Sequence, residues 1–424
     1  MQLLSERSTK SAFPAQIFKL ANGLTIIHQH LPATPVVVVD VWVKAGAIAE
    51  PQEWSGMAHF LEHMIFKGSK KTAPGIFDRV IENSGGMANA ATSHDYAHFF
   101  LTTAARYLPE TLACLADILL HASIPDEEFL RERDVVLEEL RGSYDDPDWL
   151  GFQALCQCLY QRHPYGRSIL GEEAILLQHS PNMMRCFHAT HYQPENLTVV
   201  IVGGVEQETA LNLVEQAFSE FTTRSECPSK IVEAEPPLTE IRRIELSLPR
   251  LEIARLSLGW IGPGVDNLDN AFGLDLLSAV LASGRSSRLV RQLREEQQLV
   301  LDISSDFSLQ RDSSLFTINA WLLPEYVEVV EEILRDVLWE LQEKSITEAE
   351  LTRSQRLLCN DYAFSTETPG QLAGLYGYYN AIATAETSIA YPEKIRAIEV
   401  EDMQRFARQY LTPERYAATV LKPM

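Results

Sequence analysis

Two hydrophobic runs in the chain each contain a tryptophan and are each followed closely by glycine. Val36–Val43 is β-branched and contains Trp42, and Arg255–Ile261 is a second run that contains Trp260. Continuous apolar runs of this length, bounded by glycine, predict buried β-strands. The sequence therefore predicts one central strand near each of these two positions.

Each predicted strand is followed by a polar stretch and then by an apolar segment with helical spacing. These segments are Gly56–Lys67 and Ala271–Ala282, and a glycine follows each of them, Gly68 and Gly284. Glycine is the residue that most often ends a helix, because it accepts the left-handed conformation. The pattern predicts one helix after each strand.

The spacing of these landmarks indicates an internal duplication. Trp42 and Trp260 are 218 positions apart, and so are Tyr192 and Tyr410, which open similar segments near the end of each half. A period of this length is too long for a solenoid repeat and fits two homologous domains. Long helices and hairpins mix without strict strand–helix alternation, which predicts an α+β fold with helices on one face of a mostly antiparallel sheet in each half.

The proline-rich, mixed-charge stretch between the halves predicts the domain boundary. We expect an N-terminal domain at residues 1–225, a linker at 226–240, and a homologous C-terminal domain at 241–424.

Composition limits the classes of partner. The 424 residues are 46% hydrophobic with a formal net charge of -22, which argues against nucleic acid and anionic membranes as partners. No apolar stretch approaches the length of about 20 residues that a membrane-spanning helix needs. The six cysteines match neither a zinc motif nor a disulfide framework, which favours a reducing compartment such as the cytoplasm. An organellar stroma or matrix is the alternative, if a presequence is removed.

The first predicted helix carries the pattern HxxEH at His59, Glu62 and His63, with Ser55 as its expected N-cap. The two histidines are four positions apart, so both imidazoles leave one face of the helix and can share a zinc ion. Glu62 lies on the same helix and can reach a water molecule at that metal. The alternative is an amphipathic helix with two histidines on its polar side.

A third ligand is expected from the predicted helix at Pro125–Arg141, whose apolar face is expected to consist of Phe129, Leu130, Val136, Leu137 and Leu140. Glu132 and Glu139 are seven positions apart and lie on one face of this helix, whereas Glu138 points elsewhere. The pattern itself leaves the choice between Glu132 and Glu139 open. All eleven histidines lie at or before His191, so the second half cannot repeat the metal site.

The segment HFLEHMIFKG at 59–68, with Glu139 seventy-six positions after His63, resembles the inverted-zincin peptidases of the pitrilysin and mitochondrial-processing-peptidase group, M16. Matching stretches continue through NGLT at 22–25, NAAT at 89–92, RERD at 131–134 and HPYG at 163–166. The resemblance extends over nearly the whole chain and is closest to the short, dimer-forming branch of the family. It implies the LuxS/MPP-like metallohydrolase fold.

The resemblance also implies roles for individual residues. It implies one Zn2+ per chain held by His59, His63 and Glu139, with Glu62 as the general base. Glu132 corresponds to a carboxylate that supports the site from behind a ligand. Three further residues correspond to positions that bind the substrate: Asn89 and Ala90 on an edge strand, and Arg294 in the second half.

One departure from the family pattern concerns the partner. The family usually has a tyrosine seven residues after the arginine, and this chain has Leu301 there. A leucine cannot donate a hydrogen bond to a developing oxyanion. The chain therefore resembles the zinc-bearing subunit of a heterodimer whose homologous partner supplies the Arg/Tyr pair, with a homodimer as the alternative.

These expectations converge on one function. The chain is expected to be a zinc-dependent endopeptidase that hydrolyses unfolded peptides inside a clamshell chamber, with basic targeting-type peptides favoured by the acidic composition. The alternative is a non-catalytic subunit of an M16-like assembly that binds peptides or acts as a scaffold, because function resides in sites and not in folds.

Overall fold

The computed structural model describes residues 3–4, 13–219 and 232–424. The described residues form twelve strands in two sheets. The strands are β1 (Leu3–Leu4), β2 (Gln16–Leu20), β3 (Thr25–His30), β4 (Val36–Val43), β5 (Met87–Thr92), β6 (Ala97–Ala104), β7 (Leu197–Gly203), β8 (Arg242–Leu248), β9 (Ala254–Pro263), β10 (Asp302–Leu309), β11 (Ser313–Leu322) and β12 (Ala417–Pro423).

Fourteen α-helices are present in the same described ranges. They are α1 (Met57–Ile65), α2 (Ile76–Asn83), α3 (Leu108–His121), α4 (Asp126–Ser143), α5 (Pro147–Leu159), α6 (Glu173–Leu176), α7 (Pro181–His191), α8 (Gln207–Ala217), α9 (Leu268–Ala282), α10 (Val327–Glu343), α11 (Glu348–Phe364), α12 (Pro369–Ile382), α13 (Thr387–Ala397) and α14 (Val400–Tyr410). A π-helical segment spans Val290–Glu296.

The two sheets repeat one topology. The first has the strand order β1-β2-β3-β7-β4-β6-β5, and the second has the order β10-β11-β9-β12-β8. Read from the other edge, β5-β6-β4-β7-β3 matches β10-β11-β9-β12-β8 strand for strand, and the last pair of each series, β3 with β7 and β8 with β12, is the parallel one. The mostly antiparallel α+β fold with two homologous halves is confirmed.

Alternation along β4 separates two apolar cores in the first unit. Val37, Val39, Val41 and Val43 point into the core that contains α1 and α3, and Val38 and Trp42 point to the opposite face. Successive side chains of a strand point to opposite faces, so a run that is apolar at every position must be covered on both. The near-continuous apolar sequence of β4 follows from this double burial.

The second face of the first sheet is covered by α12, which is distant in sequence. Ala373, Tyr376 and Ala381 of α12 pack with Trp42 in that core. The Cβ of any larger residue at Gly377 would lie within 2.4 Å of three atoms of the Trp42 ring, so this close approach requires glycine. In the second unit, α5 packs in the corresponding way on β9 and β12.

The compact units accordingly do not follow the two sequence halves throughout. Of the described residues, the first unit holds those up to Arg141, those from 168 to 219 and Ser365–Ile389, and the second holds Gly142–Arg167, those from 232 to Phe364 and Ala390–Met424. The predicted linker at 226–240 lies partly outside the described residues, and its positions 232–240 contain no helix or strand. The domain boundaries at 225 and 241 stay a prediction.

Candidate metal centre

The first turn of α1 depends on the left-handed backbone conformation of Gly56 and on hydrogen bonds to the side chain of Glu50. Gly56 precedes the helix with a φ of +87°, and an added Cβ there would lie 2.8 Å from the carbonyl oxygen of Leu170. The expected N-cap Ser55 is not the cap, because the cap position falls on Gly56 and has no side-chain hydrogen bond of its own. Instead, Glu50 accepts hydrogen bonds from the backbone N–H groups of Gly56 and Ala58 at 3.0 and 2.7 Å.

Burial of the apolar face of α1 orients its polar residues. Phe60, Leu61, Met64 and Ile65 lie in the core under the first sheet. The Phe60 ring packs against the ring of Phe129 on α4, with centroids 4.6 Å apart. This contact brings the two helices together and faces the carboxylates of α4 toward the histidines of α1.

His59, His63 and Glu139 converge. The distance from His59 Nε2 to Glu139 Oε1 is 3.5 Å, and that from His63 Nε2 to Glu139 Oε2 is 3.4 Å. One ligand atom from each residue lies within 4.8 Å of the others, and this is the only group of three or more His, Cys, Asp or Glu side chains of this kind in the described ranges. The Glu139 side chain is 45% exposed, so the group opens to solvent.

Glu132 lies on the other side of His63. Its Oε1 is 3.0 Å from His63 Nδ1, and its Oε2 is 2.6 Å from Lys67 Nζ. Burial raises the pKa of Glu132, but the hydrogen bonds from His63 and Lys67 outweigh it and hold that pKa below its usual range. The structure thus distinguishes the two carboxylates between which the sequence could not choose. Glu139 faces the Nε2 atoms of both histidines, whereas Glu132 faces Nδ1 of His63.

The electrostatics of the group favour a positive charge. Burial lowers the pKa of His63, but hydrogen bonds with Glu132 and Glu139 raise it to about 9. The same contacts with His59 and His63 hold the pKa of Glu139 well below its usual range. Two carboxylates around one imidazole create a potential that attracts a cation.

Glu62 is held from the edge strand. Thr92 Oγ1, at the end of β5, donates a hydrogen bond of 2.6 Å to Glu62 Oε2. Thr92 belongs to the NAAT segment, but its contact with Glu62 was not expected from the sequence. The signal that could have indicated this contact is a threonine at the end of a strand that is expected to lie next to the HxxEH helix.

Asn89 and Ala90 lie on β5, which is at the edge of the first sheet and pairs with β6. Asn89 is exposed, and its Oδ1 accepts a hydrogen bond of 2.9 Å from the Ala90 N–H. The edge position matches the expectation, and the role of these two residues in binding substrate stays a prediction.

Arg294 lies in the π-helical segment of the second unit. It forms ion pairs with Glu295 and Asp302, at 3.1 and 3.0 Å. Leu301 is 58% exposed, which is a high value for an apolar side chain. The role of Arg294 in substrate binding stays a prediction.

Comparison with known proteins identifies the family. The profile described as "Insulinase (Peptidase family M16)" matches residues 25–173, and the profile "Peptidase M16 inactive domain" matches residues 179–358. The chain belongs to the M16 peptidase family. The segment that matches the first profile includes the HxxEH helix and Glu139, whereas the segment that matches the inactive-domain profile includes none of these residues.

Relatives within the family align over almost the full chain. The chain is 28% identical to zinc protease PqqE of Helicobacter pylori, over 95% of this chain and 92% of that protein. It is also 28% identical to the uncharacterized zinc protease YmxG of Bacillus subtilis, over 95% of this chain and 97% of that protein. The crystal structure of a protease from Helicobacter pylori matches with a TM-score of 0.91 and 27% identity, over 96% of this chain and 99% of that one.

Among the described residues, no helix combines the length and the apolar character needed to span a bilayer.

Proposed function

We propose that this chain is a zinc-dependent endopeptidase, with His59, His63 and Glu139 as the ligands of one Zn2+ and Glu62 as the general base. The observation that carries the proposal is the convergence of two imidazoles and one carboxylate from two separate helices. Zinc protease is also the name carried by the relatives that align over the full chain.

The donor set fits zinc. Histidine nitrogen and carboxylate oxygen bind Zn2+ at about 2.0–2.2 Å, and ligands of a tetrahedral ion are then separated by about 3.3 Å. The two His-to-Glu139 separations of 3.4 and 3.5 Å agree with that value. Three protein ligands are the number typical of catalytic zinc sites, which leave one position for water or substrate.

The chain's own residues supply the proton transfers. A bound zinc ion contributes Lewis acidity, which polarises a carbonyl and makes a water molecule acidic near neutral pH. Glu62 takes the proton of the attacking water and passes it to the nitrogen of the leaving amine. Thr92 holds one oxygen of Glu62 in place, so the base meets the water in a fixed orientation.

The edge strand supports an extended, unfolded peptide as the substrate. A peptide can add to β5 as a further strand, with main-chain hydrogen bonds that do not depend on sequence. The Ala90 N–H, which now bonds to Asn89, would exchange that bond for a substrate carbonyl. Because the chain has a net charge of -22, basic peptides are favoured over acidic ones as substrates. Equal cleavage rates for matched basic and acidic peptides would refute this preference.

The second half supports a homologous partner subunit. Leu301 is exposed where the family pattern has a tyrosine, and it offers no hydrogen-bond donor. A heterodimer in which the partner supplies the Arg/Tyr pair is the assembly proposed, and a homodimer is its alternative. Co-purification from the native cell distinguishes them, because it recovers either a homologue without HxxEH or this chain alone.

The central experiment compares wild type, Glu62→Gln and Glu138→Gln, each alone and with a co-purified partner. Zinc content, peptide hydrolysis and inhibition by a chelator are measured for each protein. We expect Glu62→Gln to keep its zinc and to lose hydrolysis by about 10²–10⁴-fold, the contribution of a general base. Glu138 is 72% exposed on the same helix as Glu139, and its variant should behave as wild type. A wild-type protein that binds zinc but hydrolyses no peptide in any pairing would instead be a peptide-binding or scaffold subunit.

A further inference from the structure

The two histidines of the metal group are held in different ways. His63 Nδ1 bonds to Glu132, which fixes the orientation of its ring. His59 Nδ1 is buried and has no hydrogen-bond partner within the described parts of the chain. Apart from the contact of its Nε2 with Glu139, the position of His59 is therefore determined by its backbone and by packing.

His59 is the third residue of α1, so its backbone belongs to the first turn of a helix of nine residues. The N–H groups of a first turn have no partner within the helix, and first turns fray when nothing else satisfies these groups. His63 lies one turn further along, where the helical hydrogen bonds are complete. Movement of the first turn would consequently displace His59 before His63.

Glu50 supplies the missing acceptors. Its side chain is buried, with 1% of the residue exposed, and its two oxygens accept hydrogen bonds from the N–H groups of Gly56 and Ala58. A single 3₁₀ turn at Gln52–Trp54 separates Glu50 from the start of α1. A carboxylate at this end of a helix also interacts favourably with the helix dipole.

We propose that Glu50 is a positioning residue for the metal site, which fixes the first turn of α1 and thereby holds His59 in place to bind zinc. The proposal rests on the proposed function for the identity of the metal. It does not require that the chain hydrolyse peptides. Glu50 is expected to touch neither metal nor substrate.

Glu50→Gln is the principal test because the two side chains have almost the same volume. A glutamine keeps one acceptor oxygen and places an NH2 group where the second oxygen was. One of the two backbone N–H groups then faces a donor and loses its bond. Glu53→Gln is the matched control, since Glu53 is exposed in the turn beside Glu50 and the change in charge is the same.

The zinc dissociation constant is measured on the metal-free full-length protein by competition with a chromophoric chelator, without substrate. We expect zinc binding to weaken about tenfold in Glu50→Gln, as for other residues that orient a ligand indirectly, and to stay unchanged in Glu53→Gln. The visible spectrum of the Co2+-substituted protein should also change in Glu50→Gln. A role in stability alone would lower the melting temperature and leave both measurements as in wild type.

A folded Glu50→Gln protein with wild-type zinc affinity and a wild-type Co2+ spectrum would overturn the proposal. If this variant does not fold, Glu50→Asp takes its place, because it keeps the charge but is one methylene too short to reach both N–H groups. We then expect zinc binding weaker than in wild type, and wild-type affinity in folded Glu50→Asp would overturn the proposal equally. Absence of hydrolysis by the wild-type protein would refute the proposed function and leave this test intact.

Discussion

The contact between Glu132 and His63 gives a prediction that can be worked through in detail. Glu132→Gln keeps the volume of the side chain and removes its charge. The variant amide can accept a hydrogen bond from either His63 Nδ1 or Lys67 Nζ with its one oxygen, where the carboxylate accepts from both at 3.0 and 2.6 Å. Either His63 or the Lys67 ammonium is left without its partner.

The expected size of the effect follows from the proposed role of Glu132, which is to orient the proposed metal ligand His63. Loss of such a partner weakens metal affinity by about 10–100-fold, equivalent to about 1.4–2.7 kcal/mol. A hydrogen bond to a charged group contributes about 1.5–3 kcal/mol, so the loss of one bond accounts for the range. We expect the lower half of the range if the amide oxygen stays on His63, and the upper half if it turns to Lys67.

The assay is competition for zinc between the metal-free protein and a chromophoric chelator at constant pH. Glu138→Gln is the control, because it removes the same charge from the same helix at an exposed position paired with Arg141. An unchanged affinity in Glu132→Gln would refute the orienting role. An equal loss in both variants would show that net charge, and not the contact with His63, sets the affinity.

Three further predictions concern the base, the pH dependence and the packing. Thr92→Val removes the 2.6 Å hydrogen bond to Glu62, so kcat should fall about tenfold with zinc affinity unchanged, and an unaltered kcat would contradict this role. Burial lowers the pKa of His179 to about 4, below its unfolded value of about 6.5, so its contribution to stability is complete above pH 6.5 and is lost as the pH falls toward 4. The free energy of unfolding of His179→Leu, measured in urea relative to that of wild type, should therefore rise by about 2 kcal/mol when the pH is lowered from 7 to 5. A difference between the two proteins that does not depend on pH would exclude this explanation. Gly377→Ala places a methyl group against Trp42 and should destabilise the protein by about 1–3 kcal/mol, whereas Gly374→Ala on the same helix meets no atom within 4 Å and should stabilise it by up to about 1 kcal/mol, as thermal unfolding would show.

The parts of the fold that could be predicted from the sequence are local or repeated. The strand expected at Val36–Val43 is β4 with the same bounds, and the segment expected at Arg255–Ile261 lies within β9. The glycines after the two helices, Gly68 and Gly284, both have a positive φ. One local expectation was wrong, since Leu130, assigned to the apolar face of α4, is 52% exposed. The period of the side chains fixes which residues share a face, but the edge of that face is set by what packs against it.

The sequence by itself determined that the two imidazoles of α1 lie together, because a spacing of four residues places His59 and His63 on one side of any helix. It could not decide between Glu132 and Glu139, which share a face and differ by two helical turns. The packing of α4 against α1, which includes the contact of Phe60 with Phe129, determines the distance of each carboxylate from the imidazoles.

The tertiary structure alone assigned Glu50 to the first turn of α1, Thr92 to Glu62, and α12 to the first sheet. Each of these contacts joins segments that are separate along the chain, and the sequence of neither segment determines which partner it meets. A carboxylate or hydroxyl acquires its partner from the path of the chain around it, and that path is fixed by the burial of the whole apolar core.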